Sequence, residues 1–285
     1  MTIDHLSLAT TPVLLFKGAA QVSQGTGFFY MVSRGEQQVV FLVTNVHVLT
    51  GHAPLDGKAP LGDSISFQFH KSADRSSVLH EIRVPLFTKG GKPVWIHPAS
   101  EPEADLAVIP IPSSCYEDCH VAALSKDWMG GGGKGLKLRP TSPITLIGYP
   151  YGYYDKVNAL PIWKTGNLAC EPHLDFDGKP LLTIDISAFP GMSGAPACAI
   201  AYGTYEAEDG NTHVGSIKQF IGIYASMQML NEKKFLEEFV SAKRLGVAHA
   251  ESLQLGHVWK AQLIEDLVAS VDIEKWETEV LADLA

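Results

Sequence analysis

The chain has 285 residues, 46% hydrophobic and 19% charged, a balance that supports a packed core and excludes wholesale disorder, collagen and coiled coils. Its 22 lysines and arginines against 31 aspartates and glutamates leave a formal charge of −9, the wrong sign for a protein that coats nucleic acid. At about 100–200 residues per domain, this length admits one large β domain or two small ones.

The opening segment, MTIDHLSLATTPVLLFKG, carries an acid at Asp4, no basic run, and an apolar stretch, Val13–Phe16, too short for an export signal. No window approaches the roughly 18 consecutive apolar residues that span a bilayer. The expected setting is the cytoplasm, with no membrane engaged. From residue 12 to about 228, short apolar runs alternate with turn formers. The runs are Gly27–Val32, Val39–Leu49, Ser64–His70, Leu106–Ile111, Ile144–Ile147, Leu181–Ile186, Ala197–Tyr202 and Phe220–Ala225. Rich in Val, Ile, Phe and Tyr and bounded by Gly, Pro, Asn and Asp, they read as strands. Many short strands with no helices between them predict a β-barrel or sandwich, not a βαβ fold. Gly51–Gly62 and Thr88–Ala104 are dense in turn formers and are expected to be long loops, which on a rigid scaffold often shape a binding site.

The pattern changes near Met229. Asn231–Arg244 spaces Phe235, Phe239 and Val240 as a helix would, with Gly246 as its stop. Lys260–Leu284 sets Leu263, Leu267, Val271 and Trp276 on one helical stripe, and carries two lysines against seven acids. An amphipathic tail of this kind is expected to pack on its own domain.

Two further patterns fail as sites. Gly130–Gly133 followed by Lys134 has the look of a phosphate loop, but Trp128 occupies the first glycine position and Gly135 replaces the Ser or Thr. Cys115-x3-Cys119-His120, with Cys170 and His173 further on, lacks repeated zinc-knuckle spacing. Together with Cys198 these are read as reduced thiols, with no metal and no cofactor expected.

Three segments carry chemistry. Phe41–Gly51 is a buried-strand pattern that delivers His47 at its exit. Ala104–Ile111 sets Asp105 just before an apolar strand, and Phe189–Pro196 holds Ser193 in a tight glycine-proline turn. A serine hydroxyl needs a base to take its proton as it attacks a carbonyl. Imidazole, which ordinarily titrates near pH 6.5, suits that work, and a carboxylate can fix its tautomer. Singly, each segment has a plainer meaning: a polar residue after a strand, a turn aspartate, a β-bulge. Their order, His, Asp, Ser, points to acyl transfer.

These segments resemble the chymotrypsin-fold (trypsin-like) serine proteases, with the texture of the bacterial Deg-type branch. The likeness rests on Val43-Thr-Asn-Val-His47-Val, on Asp105-Leu-Ala-Val-Ile-Pro-Ile, and on Thr183 through Pro196. Weaker echoes are Gly25-Thr-Gly27, Ile147-Gly-Tyr-Pro150, Thr165-Gly166 and Ile221-Gly-Ile-Tyr-Ala225. The resemblance implies an all-β fold with C-terminal helices, built as two six-stranded barrels with the active site in the cleft between them. The barrels are expected at about 12–120 and 121–228, with a helical extension at 229–285 packed on the protease domain and no room for a PDZ domain. It further implies Ser193 as nucleophile, His47 as general base, Asp105 as its orienter, and an oxyanion hole from the backbone N–H groups of Gly191 and Ser193. Ser187 would lie near the floor of the specificity pocket and Met227 on its wall. An uncharged, fairly small pocket is therefore expected.

Departures from the family's pattern are informative. Met192 stands where secreted digestive relatives carry an aspartate that pairs with a newly cut N-terminus. Val48 replaces a cysteine of that branch, Ala195 a glycine, and Ala225 a serine that often bonds the triad aspartate. The expected activity is a regulated, intracellular serine endopeptidase acting on a protein or peptide substrate, with a candidate regulatory protein partner and no nucleic acid; the oligomeric state stays open. Two alternatives stand beside it. One is a catalytically silent or partner-activated fold that binds peptide. The other is an α/β-hydrolase esterase, which would draw on Asp209, His213, His249 or His257 after the serine.

Overall fold

The structure, a computed structural model, describes residues 3–35, 37–74, 78–130, 135–237 and 244–284, with the side chains of 227–252 and 284 outside that description. The chain begins with α1 (His5–Ala9), β1 (Thr10–Lys17), β2 (Ala20–Arg34), β3 (Gln37–Thr44) and α2 (Val46–Thr50). It continues through β4 (Ser64–His70), β5 (Leu79–Pro85), β6 (Ala107–Ile111), β7 (Pro143–Gly148), β8 (Ile162–Leu168) and β9 (Leu181–Asp185). Then come β10 (Pro196–Ala201), β11 (Thr204–Glu206), β12 (Thr212–Val214), β13 (Ile217–Glu237) and β14 (Arg244–Lys260). The tail is α3 (Ala261–Ser270) and α4 (Ile273–Trp276), continued by a wider helical turn at Glu277–Leu281 and by α5 (Ala282–Leu284).

Antiparallel pairing builds two β units. The first is a six-stranded sheet in the order β5-β4-β1-β2-β3-β6, curled with its ends unjoined into a half-barrel, consistent with the expected double-barrel fold. The second is a closed barrel, β10-β13-β14-β9-β8-β7. Antiparallel strands throughout leave no place for the α/β-hydrolase alternative, which needs crossover helices between parallel strands.

The sequence reading of the second barrel needs one correction. Its sixth strand, β14, comes from beyond residue 228, pairing Leu255 with Asp185 and Trp259 with Leu181. Of the stretch expected to be a helix, Asn231–Arg244, the described part is strand: β13 runs as far as Glu237, with Lys233 opposite Ala248 and Glu237 opposite Arg244. Residues 238–243 lie outside the description, as do 131–134 of the glycine run. Phenylalanines four apart fit a helix locally, but the described part of the stretch pairs with β14, which also closes the barrel against β9, and that pairing overrode the local preference.

Period-two alternation explains how one strand serves two cores. In β2, Phe29 points into the half-barrel with Leu42, Phe67 and Ile109. Its neighbours Phe28 and Tyr30 point the other way, into a core shared with Ile147, Cys198 and Phe220 of the second barrel and Leu263, Ile264 and Leu267 of α3. Two-faced burial is why Phe28, Phe29 and Tyr30 run consecutively apolar. The seam between the barrels is thus a packed core, which makes the two units one rigid support for whatever sits at its edge.

The tail docks as the stripe required. Leu263, Leu267, Val271 and Trp276 are all buried. Tyr30 donates to Glu265 Oε2 at 2.6 Å, and burial, followed by that bond, pushes the Tyr30 hydroxyl's pKa upward. Trp276 is 8% exposed, packs in the half-barrel core, and donates from Nε1 to Val94 O at 3.2 Å. Trp276→Ala is expected to cost about 3–5 kcal/mol of stability through the cavity it leaves. Urea unfolding checks this; a loss below about 1 kcal/mol, the scale of an ordinary surface change, would mean the tail contributes little. No helix among the described residues is long and apolar enough to cross a membrane.

Candidate active site

The register of β3 against β6 brings two of the three candidate side chains to one edge. Thr44 at the end of β3 lies opposite Ala107 at the start of β6. His47, three residues past Thr44, and Asp105, two residues before Ala107, therefore leave neighbouring strands at the same end. The turn from β3 into α2 is sharp, and α2 ends after five residues at Gly51, whose φ of 80° suits glycine.

Asp105 meets His47 twice. Its Oδ1 accepts the His47 main-chain N–H at 3.1 Å, and its Oδ2 bonds His47 Nδ1. Asn45 precedes α2 in the cap position, yet its own side chain does not cap the helix. The Asp105 carboxylate takes that N–H instead, and Asn45 Nδ2 donates to Asp105 O. His97 Nε2 bonds Ala104 O at 2.7 Å, so the backbone on both sides of the carboxylate's attachment is held. The His47 side chain is 33% exposed and that of Asp105 16%, which shields the carboxylate while leaving the ring reachable.

Ser193 lies in the connection from β9 to β10, and that turn is fastened to the half-barrel. Thr26 N donates to Ser193 O at 2.8 Å. A Cβ built on Gly25 would meet Val48 at 2.6 Å and Ser193 O at 3.2 Å, so the serine's carbonyl and the helix carrying His47 flank the same glycine. Gly194 has φ +87°, and a Cβ there would fall 1.8 Å from Thr26 O and 2.7 Å from Thr44 Oγ1. Ser193 Oγ itself makes no hydrogen bond to His47 among the described residues. Such bonds are often long before substrate arrives and tighten in the complex.

The turn's peptide groups are used unevenly. Met192 N donates to Phe189 O, Gly194 N to Tyr224 O and Ala195 N to Met192 O, at 2.9–3.0 Å. The N–H groups of Gly191 and Ser193 donate to no acceptor among the described residues. Both donors stand in the serine turn, one on a buried glycine and one on the partly buried serine itself. Gly191 itself is buried. Its φ of +96° puts a built Cβ 2.5 Å from Tyr149 O, so only glycine fits.

Beside α2 opens a cavity of about 380 Å³ lined by Thr50, Pro54, Leu55, Phe87, Trp95 and Pro102 among others. The two segments expected to be loops thus do form a hollow next to the His47 helix. A larger hollow of about 800 Å³, between Arg34, Tyr116 and Trp276, has none of the three candidate side chains in its lining. Ser187 is exposed in the segment between β9 and the serine turn. The Met227 side chain lies outside the described residues, as does that of His249, so the expected pocket wall is not in view. Asp209 and His213 sit near the small β11–β12 ribbon, 4.0 Å apart. All four cysteines are free thiols. Burial pushes Cys198 up to about 12, and Cys170 Sγ accepts the Thr183 N–H at 3.1 Å. Among the described residues no three His, Cys, Asp or Glu side chains gather as a metal ion would need.

Sequence reasoning missed Asn45, His97 and Thr26. Thr26 was visible only as the middle of a Gly-Thr-Gly echo, and nothing in its local pattern tells that its hydroxyl crosses to residue 191.

The sequence model of the trypsin-like peptidase domain matches residues 25–204, well over half of the chain. No curated protein matches it in sequence. Among solved structures, similarity extends to an inactive form of Rv3671c from M. tuberculosis at 14% identity, over 93% of this chain and 87% of that one, with a TM-score of 0.43. The serine endoprotease from Yersinia pestis shares 14% identity over 96% of this chain and 64% of its own, at a TM-score of 0.45. The thermostable serine protease AL20 from an extremophilic microorganism shares 11% over 94% and 98%, also at 0.45.

Proposed function

The chain belongs to the trypsin-like peptidase family and is a serine peptidase, and from that premise we propose an endopeptidase working through Ser193, His47 and Asp105. Ser193 Oγ attacks the scissile carbonyl carbon while its proton passes to His47 Nε2, the nitrogen opposite the one bound to Asp105. The carbonyl oxygen, now negative, is received by the N–H groups of Gly191 and Ser193. His47 then gives the proton to the departing amine, leaving an acyl-serine. Water attacks that ester with His47 again as base, and the new carboxylic acid leaves as Ser193 recovers its proton.

The observation that carries this reading is the pair of unspent N–H groups flanking Ser193, in a turn fastened to the strand beside the His47 helix. Met192 supports a further point. It is wholly buried among Leu146, Ala195 and Ala197, so the turn is held by apolar packing, and activity needs no new N-terminus released by cleavage. Ser187 and Met227 are proposed for an uncharged specificity pocket, and the hollow beside α2 for a second substrate side chain. The four free thiols suit a reducing, intracellular setting. The Deg-type affinity and a protein regulator remain part of the proposal; the acidic tail is already committed to its own domain.

A fluorophosphonate probe should label the wild type and leave Ser193→Ala unlabelled; labelling that persists in the variant would exclude Ser193 as nucleophile. The missing Ser193–His47 hydrogen bond favours a second reading, a fold completed only by substrate or a partner. That version shows as labelling that starts only when a peptide is added.

A further inference from the structure

We infer that Thr26 is the positioning residue of the oxyanion turn, its hydroxyl locking the peptide between Gly191 and Met192 so that the two flanking N–H groups face the same acceptor. The inference rests on the reading of Ser193 as nucleophile and deepens it.

Thr26 is wholly buried, and each of its polar groups is engaged. Its Oγ1 donates to Gly191 O at 2.7 Å and accepts from Tyr149 N at 3.1 Å. Its main-chain N donates to Ser193 O at 2.8 Å, and its carbonyl accepts from Thr44 Oγ1 at 2.7 Å.

In a trans peptide the N–H and C=O point in opposite directions, so a bond that fixes one fixes the other. Three consecutive peptide groups of the turn are held in this way. Pro190 O accepts from Tyr151 N at 2.7 Å, which turns the Gly191 N–H the opposite way. Met192 O accepts from Ala195 N at 2.9 Å, which does the same for the Ser193 N–H. The group between them is held at both ends, its N–H by Phe189 O at 3.0 Å within the turn and its carbonyl by a side chain from outside the turn, that of Thr26. At φ +96°, Gly191 is free to rotate as no other residue is, and the Thr26 bond adds to the turn's own Met192–Phe189 bond a tie from the half-barrel that keeps the outer two aligned. The hydroxyl comes from the half-barrel, while the turn belongs to the second barrel. The lock therefore also ties the oxyanion donors to the strand beside the His47 helix.

The test compares Thr26→Val, which keeps the shape and removes the hydroxyl, with Thr26→Ser, which keeps the hydroxyl. Turnover of an N-acyl-valine ester supplies kcat and KM separately. Removing an oxyanion donor outright typically lowers kcat by about 10²–10³-fold, so loosening its support should lower it by roughly ten- to a hundredfold. Thr26→Val is expected to show that fall with KM within about threefold of wild type, and Thr26→Ser to stay within about threefold in both constants, on that same scale. Thr26→Ala, which leaves space instead of a buried methyl, serves if the valine variant does not fold. Full kcat in Thr26→Val or Thr26→Ala overturns the inference, as does equal loss in Thr26→Ser. Labelling of Ser193→Ala separates the two failures: if it persists, the nucleophile is wrong; if it is lost while Thr26→Val is fully active, only the lock is wrong.

Discussion

His47→Ala is expected to lower kcat by about 10⁶-fold, the loss seen when a unit of nucleophile and base is broken at either member. Asp105→Asn should lower it by about 10⁴-fold for a different reason. The Asp105 carboxylate accepts from both the main-chain N–H and the Nδ1 side of His47. A carboxamide has one oxygen for those two donors and an NH₂ facing the other, which turns the ring to the wrong tautomer. Steady-state hydrolysis of a valine ester measures both, with Ser193→Ala as the floor. His47→Ala within tenfold of wild type would remove the histidine from the mechanism.

The second large effect is expected at Gly194→Ala. Its added methyl would sit 1.8 Å from Thr26 O, and the residue's φ is +87°. The left-handed backbone alone costs a residue with a Cβ about 1–2 kcal/mol, and overpacking typically adds about 1–3 kcal/mol. The obstruction is main chain, so no rotamer change relieves it, and the turn carrying Ser193 must move away from β2. Fluorophosphonate labelling should disappear, and the urea midpoint should fall by the corresponding amount. Near-normal labelling with an unchanged midpoint would show that the turn is not clamped as described.

Legibility from sequence followed the range of the interaction concerned. Short runs rich in β-branched and aromatic residues, such as Val39–Thr44 and Ser64–His70, are local signals, and they became strands. The stripe Leu263, Leu267, Val271 and Trp276 is local too, and it became the buried face of the tail. Asn231–Glu237 went the other way, because the same apolar spacing serves helix or hairpin and its pairing with β14, a strand of the closed barrel, decides between them. The half-barrel's open edge between β5 and β6 depends on strand tilt and pairing, which composition does not encode.

The candidate triad shows the same division. Histidine at a strand exit, aspartate before a strand and serine between glycines are types at places, and chain order alone narrows them to acyl transfer. Their contacts arise from register: β3 against β6 brings Asp105 to His47, while the main-chain bond from Thr26 ties the Ser193 turn to the neighbouring strand. Which N–H groups stay unspent, and which distant hydroxyl or carboxamide steadies the backbone around them, follows from three-dimensional neighbours at separations of 165 residues for Thr26 and Gly191 and 60 for Asn45 and Asp105. Residue type sets what a side chain can donate or accept; packing decides which partner it meets, because burial makes an unpaired polar group costly enough to select one arrangement.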